Sequence, residues 1–324
     1  MWWLTLLGCG VLEAQLDRPL VPGDETATIF DVPAGSTARA IGPALTEAGL
    51  VDSALHWRAY LTLSGGGACL KAGRFSLSPS LSPSGILDVL CGVPIPDDIP
   101  FTVVEGWRIR EIDAALVEAG LADPGAYTAM ANDPGRFTLP DGVGEITTLE
   151  GFLYPDTYRV EADGFSVTAF IERQLETFER RFVSPNQVAI RERGLYPLVV
   201  MASMIEREEP TDSQRKLVAG ILWKRVDDSW MLGVDATSRY TLAEWNDRQA
   251  FLRKLRDPSD PYNTRLRRGL PPTPIGNPGE TALEAALEPV DSRYWYYLHD
   301  AQGTLHPAVD GAGHTANRRR YGVW

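Results

Sequence analysis

Between Pro261 and Gly279 the chain reads PYNTRLRRGLPPTPIGNPG, a stretch through which neither a helix nor a central strand can run. Pro261, Pro271, Pro272, Pro274 and Pro278 each fix a backbone φ and remove a donor, while Gly269, Gly276 and Gly279 open turns that other residues resist. Flexible linkers share this composition, but they seldom carry residues such as Tyr262, Leu270 and Ile275 where the chain turns. Long structureless segments inside compact domains are uncommon unless they serve a function. The stretch therefore reads as an ordered wall, and the rest of the fold must supply what it faces.

With 324 residues, 44% of them hydrophobic, the chain can bury a real core in one large or two ordinary domains. The net charge of -12 and the absence of a basic run, apart from Arg318 to Arg320 near the C-terminus, argue against nucleic acid as a partner. The opening twelve residues, MWWLTLLGCGVL, are apolar and uncharged, yet shorter than the roughly 20 residues a membrane-spanning helix needs. Three readings fit them: a truncated signal or anchor over residues 1–20, a lipoprotein-like signal with Leu6-Leu7-Gly8-Cys9 at the processing site, or a buried N-terminal segment. The missing Lys or Arg counts against a complete signal, and the truncated anchor is the working expectation, with membrane association through it. Cys69 and Cys91 form an even pair that is either a disulfide or two small buried hydrophobes. No CxxC or HExxH spacing, Gly-rich phosphate loop or metal cluster appears, so no metal and no cofactor are expected.

Along the chain, TIFDVPAG (28–35) reads as a strand and turn, with Ser36 capping a helix that carries Ala38, Ile41, Leu45 and Leu50. A helix over 53–62, a strand in CLKAGRFSLS and a short helix from Ser84 to Gly92 complete a β, α, α, β, α module. Pro94 to Pro100 reads as a linker, FTVVEGW as a strand, and Arg108 to Gly120 as an amphipathic helix. ITTLEGFLYPDTYRV has the composition of strands around a turn at Pro155-Asp156. Helices follow over 166–182, 185–193, Pro197 to Glu209 and from Thr211 through Val226. The chain then reads as loop until a short helix at Thr281 and an aromatic strand in RYWYYLH.

The helix ending at Glu209 is apolar until Glu206, its first ionisable residue, which shares a face with Ala202 and Val199. Burial disfavours the carboxylate anion, and the negative end of the helix dipole near Pro210 pushes the same way, as a proton-donating glutamic acid requires. A solvated charge run at the end of a buried helix has the same pattern.

EGWRIREI (105–112), LEGFLYPDTYRV (149–160), MASMIEREE (201–209), LGVDATSRY (232–240) and the Pro/Gly stretch, in this order, resemble the MltG-type (YceG-like) endolytic murein transglycosylase family. The resemblance covers residues 28–317, and its C-terminal HPA...GHTAN segment departs from the family pattern at Ala308 and Ala316. It implies an α+β fold: a small LysM-like N-terminal module over 25–94 followed by a larger mixed α/β catalytic domain over 101–324. It further implies a bacterial enzyme on the periplasmic side of the inner membrane that acts on nascent peptidoglycan strands beside peptidoglycan synthases. Glu206 matches the family's catalytic glutamate, and the reaction would be non-hydrolytic cleavage of the MurNAc-GlcNAc β-1,4 bond, leaving a 1,6-anhydroMurNAc end. Such chemistry needs one essential carboxyl group where ordinary glycosidases need two. Asp235, Ser238, Tyr240, Tyr262, Asn263 and Thr264 are the candidate substrate-binding residues, with Tyr262 to Thr264 expected beside Glu206 and Leu270 to Ile275 at the cleft rim. Glu150, Tyr154 and Asp156 read as structural or cleft-lining. Two alternatives remain on the sequence: a muramidase-type hydrolase pairing Glu206 with Asp235, and a non-catalytic peptidoglycan-binding scaffold.

Overall fold

The computed structural model describes residues 14–95, 98–162 and 164–323, so the apolar opening twelve residues, Cys9 included, lie outside it. No helix among the described residues is long and apolar enough to cross a membrane. The chain divides into two compact units, residues 1–98 and 99–324.

In the N-terminal unit β1 (Thr28–Val32) pairs antiparallel with β2 (Gly73–Leu77), setting Phe30 opposite Phe75 and Thr28 opposite Leu77. Alternation along each strand turns Phe30, Val32, Phe75 and Leu77 inward. α1 (Gly42–Glu47), α2 (Ala54–Ser64) and α3 (Pro83–Cys91) close the core around Trp57, whose indole N–H donates to the Ala38 carbonyl at 2.6 Å. The Ser53 and Ser82 hydroxyls cap α2 and α3 by accepting from His56 N and Gly85 N. Ser36 does not cap α1: residues 36–41 wind through turns, and the helix begins only where Pro43 presets its first turn. Cys69 and Cys91 are disulfide-bonded.

In the C-terminal unit β3 (Asp98–Thr102) pairs with β4 (Thr157–Glu161). α4 (Ile109–Glu118) and the short α5 (Ala126–Ala131) follow β3. α6 (Val167–Phe178) runs through a π-helical turn (Glu179–Val183) into α7 (Ser184–Arg193) without a break. α8 (Leu195–Glu208) is buried from Leu198 through Ile205, as a helix apolar on every side must be. It packs against α9 (Asp212–Asp227) and α12 (Glu280–Leu287), and Trp223 on α9 donates its indole N–H to the Ala286 carbonyl at 2.8 Å. Residues read as loop between α9 and α12 include α10 (Asp235–Tyr240) and α11 (Arg248–Lys254). β5 (Tyr296–His299) and β6 (Leu305–Ala308) form an antiparallel hairpin, followed by α13 (Gly311–Tyr321). His306 and His314 serve this C-terminal packing: His306 stacks on Tyr321 at 3.5 Å and pairs with Asp300, and His314 stacks on Tyr296.

The strand expected before Pro155 does not form. Leu149 to Leu153 turn instead, because the N–H groups of Gly151 and Leu153 are claimed by the Asn277 side-chain oxygen at 2.8 and 3.1 Å.

The disulfide spans a sequence separation of 22 residues. Closing such a loop in the unfolded chain is worth about 3 kcal/mol on the chain-entropy estimate. Reduction, or the double substitution Cys69→Ser/Cys91→Ser, is expected to lower the unfolding free energy of the N-terminal unit by that order. Denaturant titrations of the full chain with and without reductant, followed by the fluorescence of Trp57, check it.

Candidate active site

Glu206 ends the buried run of α8 with a side chain only 7% exposed. Arg215, on the facing helix α9 and 5% exposed, donates from Nη2 to Glu206 Oε1 at 2.8 Å and from Nη1 to Oε2 at 3.3 Å. The backbone N–H of Gly279, the residue before α12, donates to Oε2 at 2.9 Å. Arg215 is itself held by Thr281 Oγ1 at 2.5 Å, the Glu209 carbonyl at 3.1 Å and Asp212 at 3.5 Å, so its fork cannot swing away. Burial pushes the Glu206 carboxyl up, the Gly279 N–H and Arg215 pull it down, and nearby Glu105 pushes up again; the net direction is upward. A carboxyl so placed can carry a proton nearer neutrality than an exposed glutamate, and two donors are ready to receive the anion once the proton has gone.

Two segments bring Gly279 to this carboxylate. Gly106 N donates to the Asn277 carbonyl at 2.7 Å and Asn277 N donates to the Trp107 carbonyl at 2.8 Å, a short ladder between residues 105–107 and 276–279. The fit leaves no space for side chains: a Cβ on Gly276 would stand 2.5 Å from the Gly106 carbonyl oxygen, and one on Gly279 would stand 2.2 Å from Glu105 Oε1. Asn277 is fully buried, and its amide nitrogen donates to the Trp107 carbonyl at 2.9 Å and to Glu150 Oε1 at 3.1 Å. Glu150, 2% exposed, also accepts from Ile109 N at the start of α4 and from the Tyr240 hydroxyl at 3.1 Å. Glu150 and Asn277 thus lock the EGW, LEG and GNPG segments together around Glu206.

The candidate binding residues fall into two groups. Tyr240 and Tyr262 are half-buried and pack ring to ring at 5.0 Å, and the Tyr262 hydroxyl meets Thr273 Oγ1 at 2.9 Å. Asp235, also half-buried, forms an ion pair with Arg265 at 2.6 Å. These three keep surface that a ligand can reach. Ser238, Asn263 and Thr264 do not, being 1%, 0% and 2% exposed, and here the sequence reading is corrected. Asn263 donates to the Lys254 and Asp257 carbonyls, and Thr264 Oγ1 holds Val234 N and Thr237 Oγ1, so both brace the loop and neither bonds to Glu206. Ile275, expected at the rim, is wholly buried and its N–H donates to Ser203 Oγ on α8 at 3.0 Å.

Sequence reasoning missed Arg215, Asn277 and Glu105. Asn277 stood in the Pro/Gly stretch and Glu105 opened the EGW motif, whereas Arg215 carried no local signal at all. A cavity of about 770 Å³, walled by Phe137, Leu139, Leu175, Glu176, Val183 and Leu195, lies at the opposite end of α8. Leu195 and Glu206 are eleven residues apart on one helix, about 16 Å, so the cavity is no part of this site. No group of three or more His, Cys, Asp or Glu arranged to hold a metal ion occurs among the described residues.

The Glu150 carboxyl is pushed up to about 8 by burial, against the hydrogen bonds from Tyr240 and Ile109 N that hold it down. In the unfolded chain a glutamate titrates near pH ~4.3, so the folded protein binds this proton more tightly. The corresponding stability is full below that pH and is lost as pH rises through about 8. Glu150→Gln keeps the shape without the titration. Unfolding free energies from urea titrations are therefore expected to fall less steeply between about pH 5 and 8 in the variant than in the wild type. An identical slope in both would count against it.

Comparison with known proteins gives a consistent answer. A protein of Bacillus subtilis (strain 168) named endolytic murein transglycosylase is 26% identical over 321 residues, covering 93% of this chain and 87% of its own length. One of the same name from Streptococcus pneumoniae serotype 2 is 24% identical over 351 residues; 97% of this chain aligns with 63% of that protein. The solved structure of a YceG-like protein from Listeria monocytogenes superposes with a TM-score of 0.60 at 24% identity, covering 90% of this chain and 99% of the other, and so shares the fold. The sequence profile of the YceG-like family matches residues 30–320, and the chain belongs to that family.

Proposed function

We propose that the protein is an endolytic murein transglycosylase, a carbon–oxygen lyase that cleaves the MurNAc-GlcNAc β-1,4 bond of peptidoglycan strands without water. The observation that carries this reading is Glu206, a nearly buried carboxyl with a raised pKa, held between Arg215 and the Gly279 N–H in a chain of this family. The relatives named as murein transglycosylases support the substrate class.

In this mechanism Glu206 donates its proton to the departing O4 of GlcNAc as the C1–O4 bond breaks. The C6 hydroxyl of MurNAc then attacks C1 and forms the C1–O6 bond, and its proton returns to Glu206. The product ends in 1,6-anhydroMurNAc. One carboxyl group serves first as acid and then as base, and Arg215 and the Gly279 N–H steady its anion between the two steps. A muramidase pairing with Asp235 is disfavoured, because Asp235 is engaged by Arg265 through both its Nε and Nη2.

The remaining assignments follow from this reading. Residues 25–94 would serve as a LysM-like glycan-binding module, which the antiparallel pairing of β1 with β2 around two helices supports. The apolar opening residues would anchor the enzyme at the inner membrane with its catalytic unit on the periplasmic side, near peptidoglycan synthases.

Glu206→Gln is expected to lower strand cleavage by roughly 10²-fold or more, the scale for losing a general acid. Mass spectrometry of peptidoglycan digested by the wild type should find anhydro ends; reducing ends in their place would mean hydrolysis, and full activity in the variant would remove Glu206 from the mechanism.

A further inference from the structure

Glu105 is a carboxylate for which the single-acid mechanism has no use, and its placement is unusual. It belongs to the exposed residues of the C-terminal unit, yet its side chain lies along the backbone of Gly279. An added Cβ there would stand 2.8, 2.4 and 2.2 Å from its Cγ, Cδ and Oε1. The adjoining backbone is fixed: Gly106 takes a left-handed φ of 76° and its N–H is bound to the Asn277 carbonyl. Glu105 has no hydrogen-bond or ion-pair partner among the described residues.

Gly279 also joins this carboxylate to Glu206, since its N–H lies 2.9 Å from Glu206 Oε2. The backbone nitrogen and an ideal Cβ are separated by about 2.5 Å. Carboxyl oxygens of Glu105 and Glu206 therefore come within about 8 Å of each other, inside the span over which paired carboxylates work on one glycosidic bond. The charges facing Glu206 are Arg215 and, behind it, Asp212 from α9, Glu105 from the segment before α4, and Arg207 beside it on α8. Arg207 lies over the Trp245 ring at 4.0 Å. Arg215 is committed to Glu206, and no cation pairs with Glu105 among the described residues. The Glu105 carboxyl is laid against a glycine that lacks the atom that would displace it.

We propose that Glu105 is a second catalytic carboxylate, which faces the sugar ring and stabilises the positive charge that develops at the anomeric carbon while Glu206 transfers the proton. The proposal rests on the transglycosylase reading. Glu105 exchanges no proton and forms no bond: O4 leaves with the proton of Glu206, O6 takes its place at C1, and the O6 proton restores Glu206. The geometry gives it a second effect, since its charge lifts the pKa of Glu206.

The test compares the full-length wild type, Glu105→Gln, Glu105→Ala and Glu206→Gln on purified peptidoglycan, with muropeptide mass spectrometry and kcat and KM measured across pH. Glu105→Gln is expected to lose about 10²-fold in kcat, the lower end of the order for removing one electrostatic contact to a transition state. KM should stay within about threefold, as for an interaction made only in the transition state. The products should remain anhydro-ended. The alkaline limb of the pH profile should move to lower pH, because Glu206 loses a neighbouring negative charge; a role limited to packing would not move that limb. A kcat within about twofold of wild type together with an unmoved limb would overturn the proposal, as would a covalent glycosyl adduct on Glu105. If Glu206→Gln is inactive while Glu105→Gln is unaffected, only the role of Glu105 fails; if Glu206→Gln retains activity, the transglycosylase reading fails and this proposal with it.

Discussion

The geometry around Glu206 depends on a single buried amide. Asn277 presents a donor to Glu150 and another to the Trp107 carbonyl, while its oxygen gathers the N–H groups of Gly151 and Leu153. The N–H groups of Gly151 and Leu153 find no other acceptor among the described residues and would otherwise be buried unpaired, at a cost of about 1–3 kcal/mol apiece. Three segments distant in sequence therefore have one low-energy arrangement in common, and Gly279, two residues on, arrives at Glu206 as a result. An aspartate could not reproduce this, because it has no donors for the Glu150 and Trp107 oxygens.

Around that amide the protein tolerates an unusual concentration of buried carboxyl groups. Glu150, Glu206 and Glu208 are all shifted toward their neutral forms by burial, and they divide the local donors differently. Tyr240 and a helix N-terminus serve Glu150, an arginine and a backbone N–H serve Glu206, and Tyr297 serves Glu208. Only Glu206 combines a bidentate cation with a neighbouring unpaired carboxylate, so its two protonation states are both supported. That distinguishes its surroundings from those of the other two carboxyls, whose partners are hydroxyls and backbone or amide N–H groups.

The burial of Glu206 was legible in the sequence because one ionisable residue at the end of an apolar run is a local pattern, and local patterns survive without coordinates. The rigidity of the Pro/Gly stretch was legible for the same reason, since proline and glycine act on their own backbone. Which asparagine of that stretch turns inward was not. Asn263 stands beside a tyrosine and threonine and looks like a ligand-binding triplet, but its amide is used by the Lys254 and Asp257 carbonyls. Asn277 sits between glycine and proline and looks like a turn. Glu105 owes its place to Gly279, far from it in the chain, and Arg215 reaches Glu206 only because α8 and α9 fold back on each other; tertiary packing makes both contacts. The strand misassigned before Pro155 has the same origin: its composition favours β structure, and a side chain more than a hundred residues away takes its N–H groups.

The strand β5, which opens the C-terminal hairpin, has a consequence for how the enzyme comes into being. Tyr297 and His299 on β5 reach back to Glu208 and Glu209, at the end of the helix that carries Glu206. Synthesis proceeds from the N-terminus, and earlier segments fold first. A nascent chain that has completed α8 but not the hairpin lacks the Tyr297 and His299 contacts, and the Glu209 side chain then keeps only its local bond from Thr211 N. The last turn is therefore fastened only once β5, some 90 residues further along the chain, has emerged, which ties the final shape of the helix end to a late-made segment.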